Sequence, residues 1–338
     1  MKGGGSDMEH YRIYHSEIPA FLRDYLELPL LRRLRQVGMN CGCEYTAFER
    51  FRDLAPYSRY DHSLGVALIA WHFTGDRAQA VAGLLHDVAT PVFAHVVDFM
   101  RGDYLKQEAT EAGTAAMIAG DAALQALLAR DGLATGDVCD YHRYPIADND
   151  SPRLSADRLE YTLGNSVNYG LCAPEEARVM YDDLRVDAGE DGQPELAFAH
   201  RQIAETFASA ALACARIYVC DEDRYAMQRL SELLKRAVER GIIGEADLYT
   251  TEPRVIERLL SDGDTAAEWT RFRAMNGMRR AARPGPEGEW RRIFAKKRCI
   301  DPLAVGAGRA SRLSPAFARG LAAFLDEPQD YWVCGTAE

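Results

Sequence analysis

Three segments of this chain concentrate side chains that could hold a cation and move a proton. They are SRYDHSLGVALIAWH (58–72), AGLLHDVATPVFAHVVDF (82–99) and LSADRLEYTLGN (154–165). A hard or borderline divalent ion needs imidazole nitrogens and carboxylate oxygens that converge, with a position left open for substrate or water. His62 opens one apolar helix, His86 and Asp87 end a second after Leu84 and Leu85, and Asp157 opens a third. Together they offer two imidazoles and two carboxylates. Taken singly, each reads as an ordinary core or helix-end residue. The vicinal pair inside AGLLHDV is different, because burying Asp87 without a cation partner costs several kcal/mol. No Lys or Arg lies within four residues of it.

Thr90-Pro91 is expected to restart a helix, Thr as N-cap and Pro at the first helical position. On that helix His95 and Asp98 are three apart and share a face. A carboxylate beside an imidazole fixes its tautomer and raises its basicity, which a general base for water activation requires. The alternative is an ordinary surface His-Asp contact. In the third segment Asp157, Tyr161 and Asn165 recur every four residues, with Arg158 beside the first. Facing an ion, this stripe would contact phosphate and sugar; facing solvent, it would be a plain hydrated face. Arg59, three residues before His62, is either a phosphate clamp or an exposed arginine.

Helices must position these groups. Residues 18–37 place Phe21, Leu22, Tyr25, Leu26, Leu30, Leu31 and Leu34 near one stripe, with a break at Pro29. Residues 203–219 and 225–240 repeat the helical spacing, and no turn dipeptide between alternating runs signals a hairpin. The expected fold is all-α. The polar stretch 187–196 is either a boundary or a short hairpin insertion, and 282–289 is a loop. The division expected is a flexible leader at 1–17, a helical domain at 18–186 and a helical extension packed on it at 187–338. KKR at 296–298 forms a basic patch in that extension, and no glycine loop for phosphates is found.

The 338 residues carry 51 acidic against 40 basic side chains, a net charge of -11 that argues against nonspecific nucleic-acid binding. An anionic small substrate remains compatible with it, because an ion and a few arginines reverse the field locally. The eight cysteines form no CxxC pair and read as reduced core thiols. No apolar run approaches the roughly 18–20 residues that span a bilayer, and no export signal opens the chain. A cytoplasmic protein without a membrane partner is the expectation.

The order His62, His86-Asp87, Asp157 resembles the H…HD…D signature of the HD-domain metal-dependent phosphohydrolases. SRYDHSLGV followed by LLHDVATPVFAH is similar to the deoxynucleoside triphosphate triphosphohydrolase (dGTPase-like) branch, over about residues 20–175. The resemblance implies an HD-domain helical bundle with added C-terminal helices, a divalent metal ion held by His62, His86, Asp87 and Asp157, and a nucleotide substrate. It implies catalysis by His95 with Asp98, phosphate contacts from Arg59 and Arg158, and sugar contacts from Tyr161 and Asn165. Assembly into a homo-oligomer is implied in the same way. The chain departs from the family at Ala89-Thr90, where the family has Gly-His, and at Gln107-Glu108, where it has His-Glu. Glutamine cannot protonate a leaving group, so either Lys106 does so or the substrate differs. The activity implied is hydrolysis of deoxynucleoside triphosphates to nucleoside and tripolyphosphate. The rivals are a nucleotide phosphatase or phosphodiesterase of the same fold, and a nucleotide sensor without turnover.

Overall fold

The computed structural model describes residues 10–102 and 113–337, and most of them are helical. Lys106, Gln107 and Glu108 lie outside the described residues. The apolar stripe of 18–37 folds as Ala20–Leu26, a turn of helix at Pro29–Arg32 and a tighter turn at Arg33–Gln36, burying Leu22, Tyr25, Leu26, Leu31 and Leu34. Pro29 lacks an N–H, so it starts a helix where it could not continue one.

Helix α1 (Arg59–Thr74) opens on a capping box in which Ser58 and Asp61 exchange hydrogen bonds. It is buried nearly all round, as its continuous apolar sequence requires. Helix α2 (Arg77–Leu85) begins under the Asp76 carboxylate, which accepts from the Ala78 N–H at 2.8 Å. Gly83 lets α2 lie close to α1, since a Cβ there would stand 3.0 Å from Val66 Cγ1. Helix α3 (Val96–Arg101) is short, and α4 (Ala156–Asn168) is capped by Ser155. Gly65 of α1 gives α4 room: a Cβ there would fall 2.5 Å from Glu160 Cγ. Helices α5 (Arg201–Ile217), α6 (Asp221–Glu239) and α7 (Glu252–Leu260) follow, the first two where the apolar periodicity places them.

Two small sheets correct the all-α expectation. Their strands are β1 (Leu184–Ala188), β2 (Pro194–Phe198), β3 (Gly277–Ala281), β4 (Arg291–Arg292), β5 (Leu303–Ala304), β6 (Gly308–Arg309) and β7 (Trp332–Thr336). The polar stretch 187–196 is thus the tip of a β1–β2 hairpin, and the sheet continues β1-β2-β5-β6. The second sheet runs β3-β7-β4 and encloses the 282–289 loop. Most of these strands are short and their partners remote, so pairing depends on the helices that bring them together.

The helix expected from Thr90-Pro91 is also corrected. Residues 92–95 form turns, and α3 starts only at Val96. Phe93 (φ 57°) and Ala94 (φ 45°) are left-handed, which a right-handed helix cannot include. Each such residue costs about 1–3 kcal/mol. Thr90 Oγ1 donates to Asp87 Oδ1 at 2.6 Å instead of capping a helix.

The apolar interior falls into two main clusters. One gathers Leu64, Val66 and Leu68 of α1 with Leu84 and Leu85 of α2, Leu159 and Leu163 of α4, and Phe198 and Phe207. The other gathers Phe93, Val96 and Val97 with Leu230 and Leu234 of α6, Val255 and Leu259 of α7, and Trp269. Each draws residues from both sides of residue 187.

Candidate metal centre

The expected ligands come from three helix ends that face one another. His62 lies in the first turn of α1, His86 directly follows α2, and Asp157 lies in the first turn of α4. His62 Nε2 stands 3.2 Å from His86 Nε2, and Asp157 Oδ1 is 3.0 Å from the former and 3.6 Å from the latter. Asp87 Oδ2 closes the other side, 3.7 Å from His86 Nε2. His62, His86 and Asp87 each offer a ligand atom within 4.8 Å of the others.

The far side of each imidazole is already engaged. His86 Nδ1 meets the Gly83 carbonyl at 2.6 Å, and His62 Nδ1 meets the Glu160 carboxylate. Both Nε2 atoms are therefore turned toward the carboxylates of Asp87 and Asp157, the orientation that metal-ligating histidines take from such partners. Burial alone would lower the His62 pKa, but Glu160 and Asp157 outweigh it and push it up to about 10. Two Nε2 atoms in contact and flanked by carboxylates call for a positive charge between them. The donor set fits a divalent ion.

Charge on the carboxylates follows the same logic. Burial would raise Asp87, but Arg59, His86 and His62 hold it far below the usual carboxylate range. Asp157 is pulled down to about 2, against burial, by His62, His86 and Arg158. Arg59 is itself buried, and its Nη1 donates to Asp87 Oδ2 at 3.0 Å while Nε has no partner among the described residues. The arginine expected to be a phosphate clamp thus touches the centre through one of its carboxylates.

His95 and Asp98 pair as expected, Nδ1 to Oδ2 at 2.9 Å. Asp98 is fully buried and the imidazole remains partly exposed. Burial holds the His95 pKa below its usual range against the Asp98 hydrogen bond, and the charges of Arg298 and Arg59 act with burial. Arg298, read from sequence as part of a basic patch, therefore stands near His95, and it acts on Tyr161 as well.

The α4 stripe divides. Asn165 Nδ2 donates to the Tyr218 hydroxyl at 2.9 Å, and its buried Oδ1 has no partner among the described residues. Tyr161 packs edge-on to Tyr218, ring centroids 6.1 Å apart. Arg158 turns elsewhere: Nε donates to the Arg153 carbonyl at 2.7 Å, Nη1 pairs with Asp148 at 3.1 Å, and Nη2 donates to Asn149 Oδ1 at 2.6 Å. Its guanidinium braces the 148–153 loop.

Sequence reasoning passed over Glu160. It is fully buried, accepts from the Tyr57 hydroxyl at 2.6 Å and holds the His62 ring from behind. The signal was present in its place one turn after Asp157, on the face that α4 turns to α1.

No family model matches the chain. It is 28% identical over 204 residues to the uncharacterized protein YdhJ of Bacillus subtilis, a match covering 60% of this chain and 61% of that protein's length. It is 25% identical over 253 residues to the metal-dependent phosphohydrolase cns2 of Cordyceps militaris, covering 72% of this chain and 70% of that one. Among solved structures, a phosphohydrolase (BT4208) from Bacteroides thetaiotaomicron superposes with a TM-score of 0.66 at 16% identity, covering 95% of this chain and 97% of that one. The chain shares the fold of that protein. Its sequence similarity to a metal-dependent phosphohydrolase and its cluster of two histidines and an aspartate together support the use of a divalent ion.

Proposed function

We propose that the protein is a metal-dependent phosphohydrolase of the HD type that acts on nucleotides, converting deoxynucleoside triphosphates to deoxynucleoside and tripolyphosphate. One observation carries the reading: His62, His86, Asp87 and Asp157 converge from three helix ends, and His95 and Asp98, in the loop and helix that follow Asp87, form a second, separately held pair. The relatives described as phosphohydrolases support the hydrolytic chemistry.

His62, His86, Asp87 and Asp157 would hold the ion. When bound, it polarises a phosphoryl oxygen and lowers the pKa of water. Asp98 keeps the proton on His95 Nδ1, so Nε2 is free to accept one from an attacking water. A depressed pKa keeps that imidazole unprotonated at neutral pH. Arg59 and Arg298 supply positive charge for an anionic substrate. Asn165, whose buried Oδ1 has no partner among the described residues, and Tyr161 are the residues this reading assigns to the sugar. Lys106 is the proton donor this reading assigns to the leaving group. Cytoplasmic placement and homo-oligomeric assembly complete it.

The test is to assay the four deoxynucleoside triphosphates with Mn²⁺ and with Mg²⁺ and separate the products. Nucleoside with intact tripolyphosphate is expected. Orthophosphate from nucleoside monophosphates would replace the reading with a phosphatase. Thermal stabilisation by nucleotide without turnover would replace it with a sensor.

A further inference from the structure

The loop from Asp87 to α3 carries two left-handed non-glycine residues immediately before His95, and nothing in its own sequence requires them. Their restraint comes from distant parts of the chain. Val92 N–H donates to the Leu248 carbonyl at 2.8 Å. Arg33 Nη2 donates to the carbonyls of Val88 and Thr90 at 2.9 and 2.8 Å, and its Nη1 donates to that of Thr250 at 3.2 Å. The decisive contact is with Glu252, the first residue of α7, whose side chain is buried. Glu252 Oε1 accepts from the Phe93 N–H at 3.2 Å and the Gly38 N–H at 2.9 Å, while Oε2 accepts from the Tyr45 hydroxyl at 2.7 Å.

Gly38 pairs with Ser58, the cap of α1, and the neighbouring Val37 carbonyl accepts from the Arg59 N–H at 2.8 Å. One carboxylate therefore ties the approach to Arg59 and His62 to the approach to His95.

We propose that Glu252 is a positioning residue for the reaction: by fixing the Phe93 amide it sets where the His95 imidazole stands relative to the ion site. The inference rests on the proposed function for its kinetic consequence, though not for its structural one. Without Glu252 the Phe93–Ala94 backbone is free to leave the left-handed region, and His95 moves with it. The ion ligands stay in place, because serine-capped helix starts hold His62 and Asp157, the Gly83 carbonyl holds His86, and Arg59 and Thr90 hold Asp87.

The experiment compares full-length wild type with Glu252→Ala, using the deoxynucleoside triphosphate that wild type turns over fastest. Expected are a fall in kcat of roughly 10- to 100-fold, a KM within about threefold and an unchanged metal content, the pattern for loss of a supporting partner. Glu252→Gln, which keeps an oxygen acceptor, recovers most of the rate. On a His95→Ala background, Glu252→Ala costs no more than about twofold, because residues acting through one another are not additive. In ¹⁵N-histidine NMR spectra, the His95 imidazole resonances shift while those of His62 and His86 hold. An unchanged kcat, or an undiminished loss on the His95→Ala background, overturns the proposal. If Glu252→Ala does not fold, Glu252→Asp shortens the acceptor by one methylene, and a wild-type rate in that variant is equally fatal. If wild type hydrolyses no nucleotide, the functional reading fails alone; an unmoved His95 resonance in the Glu252 variants then overturns the positioning.

Discussion

Two regions meet at the centre, and they are held in different ways. His62 and Asp157 each stand within a turn of a helix start capped by a serine, and His86 follows a helix that Asp76 starts. These helices pack on one another in the first core cluster. His95 lies between residues of the second cluster, after two left-handed residues, the first of which, Phe93, is held through its amide by a carboxylate 159 positions away in sequence. The first region encodes its geometry locally and needs only helix packing to assemble. The second is built by contacts between distant segments. The candidate ion site and the group proposed to transfer a proton can therefore fail independently.

The largest expected effect lies in the first region. His62→Ala and Asp157→Ala should strip the ion and bring turnover to background, read by elemental analysis and assay of the same samples. Retained metal at full stoichiometry in either variant would remove that residue from the ligand set. Next, His95→Ala should cost on the order of 10²–10⁴ in rate while leaving metal content intact. Loss of the metal as well would erase the distinction between the regions. Glu160→Gln keeps the shape behind His62 but removes the charge. An ion affinity lower by roughly 10- to 100-fold is expected, with His95 resonances unmoved. Titration of Mn²⁺ into the apo variant measures it.

The smallest effect is on stability and belongs to the second region. Burial pushes the Asp223 carboxyl up to about 8, although the Cys43 thiol donates to it and Arg224 opposes the shift. Because the folded state binds this proton more tightly, its contribution is complete below the ordinary carboxylate range near 4. It is lost as pH rises through about 8. The wild-type melting temperature should therefore decline from pH 5 to pH 8.5 by a few degrees more than that of Asp223→Asn. Parallel melting curves for the two proteins would contradict this.

Much of the first region was legible because its signals are local. The serine caps before His62 and Asp157 and the HD pair after an apolar run are each contained in a few residues. The placement of Arg158 was not legible, because its guanidinium turns to the 148–153 loop, and one position in a stripe does not say which way a long side chain folds. The hairpin was partly visible: Leu184–Ala188 alternates apolar and polar, and Gly189 and Gly192 flank the turn. Of the remaining strands, β3 and β4 pair with β7, and β2 with β5, across long separations; β4, β5 and β6 carry two residues each, too few for any periodicity to show.

By itself the sequence determined which side chains are candidate ligands, the helices that position them and the pairing of His95 with Asp98, since all of these follow from spacing within a turn or two. The tertiary structure alone decided the left-handed turn before His95, the Glu160 support behind His62, the engagement of Arg59 with Asp87 and the approach of Arg298. Each of those depends on which distant surface a side chain or amide meets after packing, and a linear pattern does not record that.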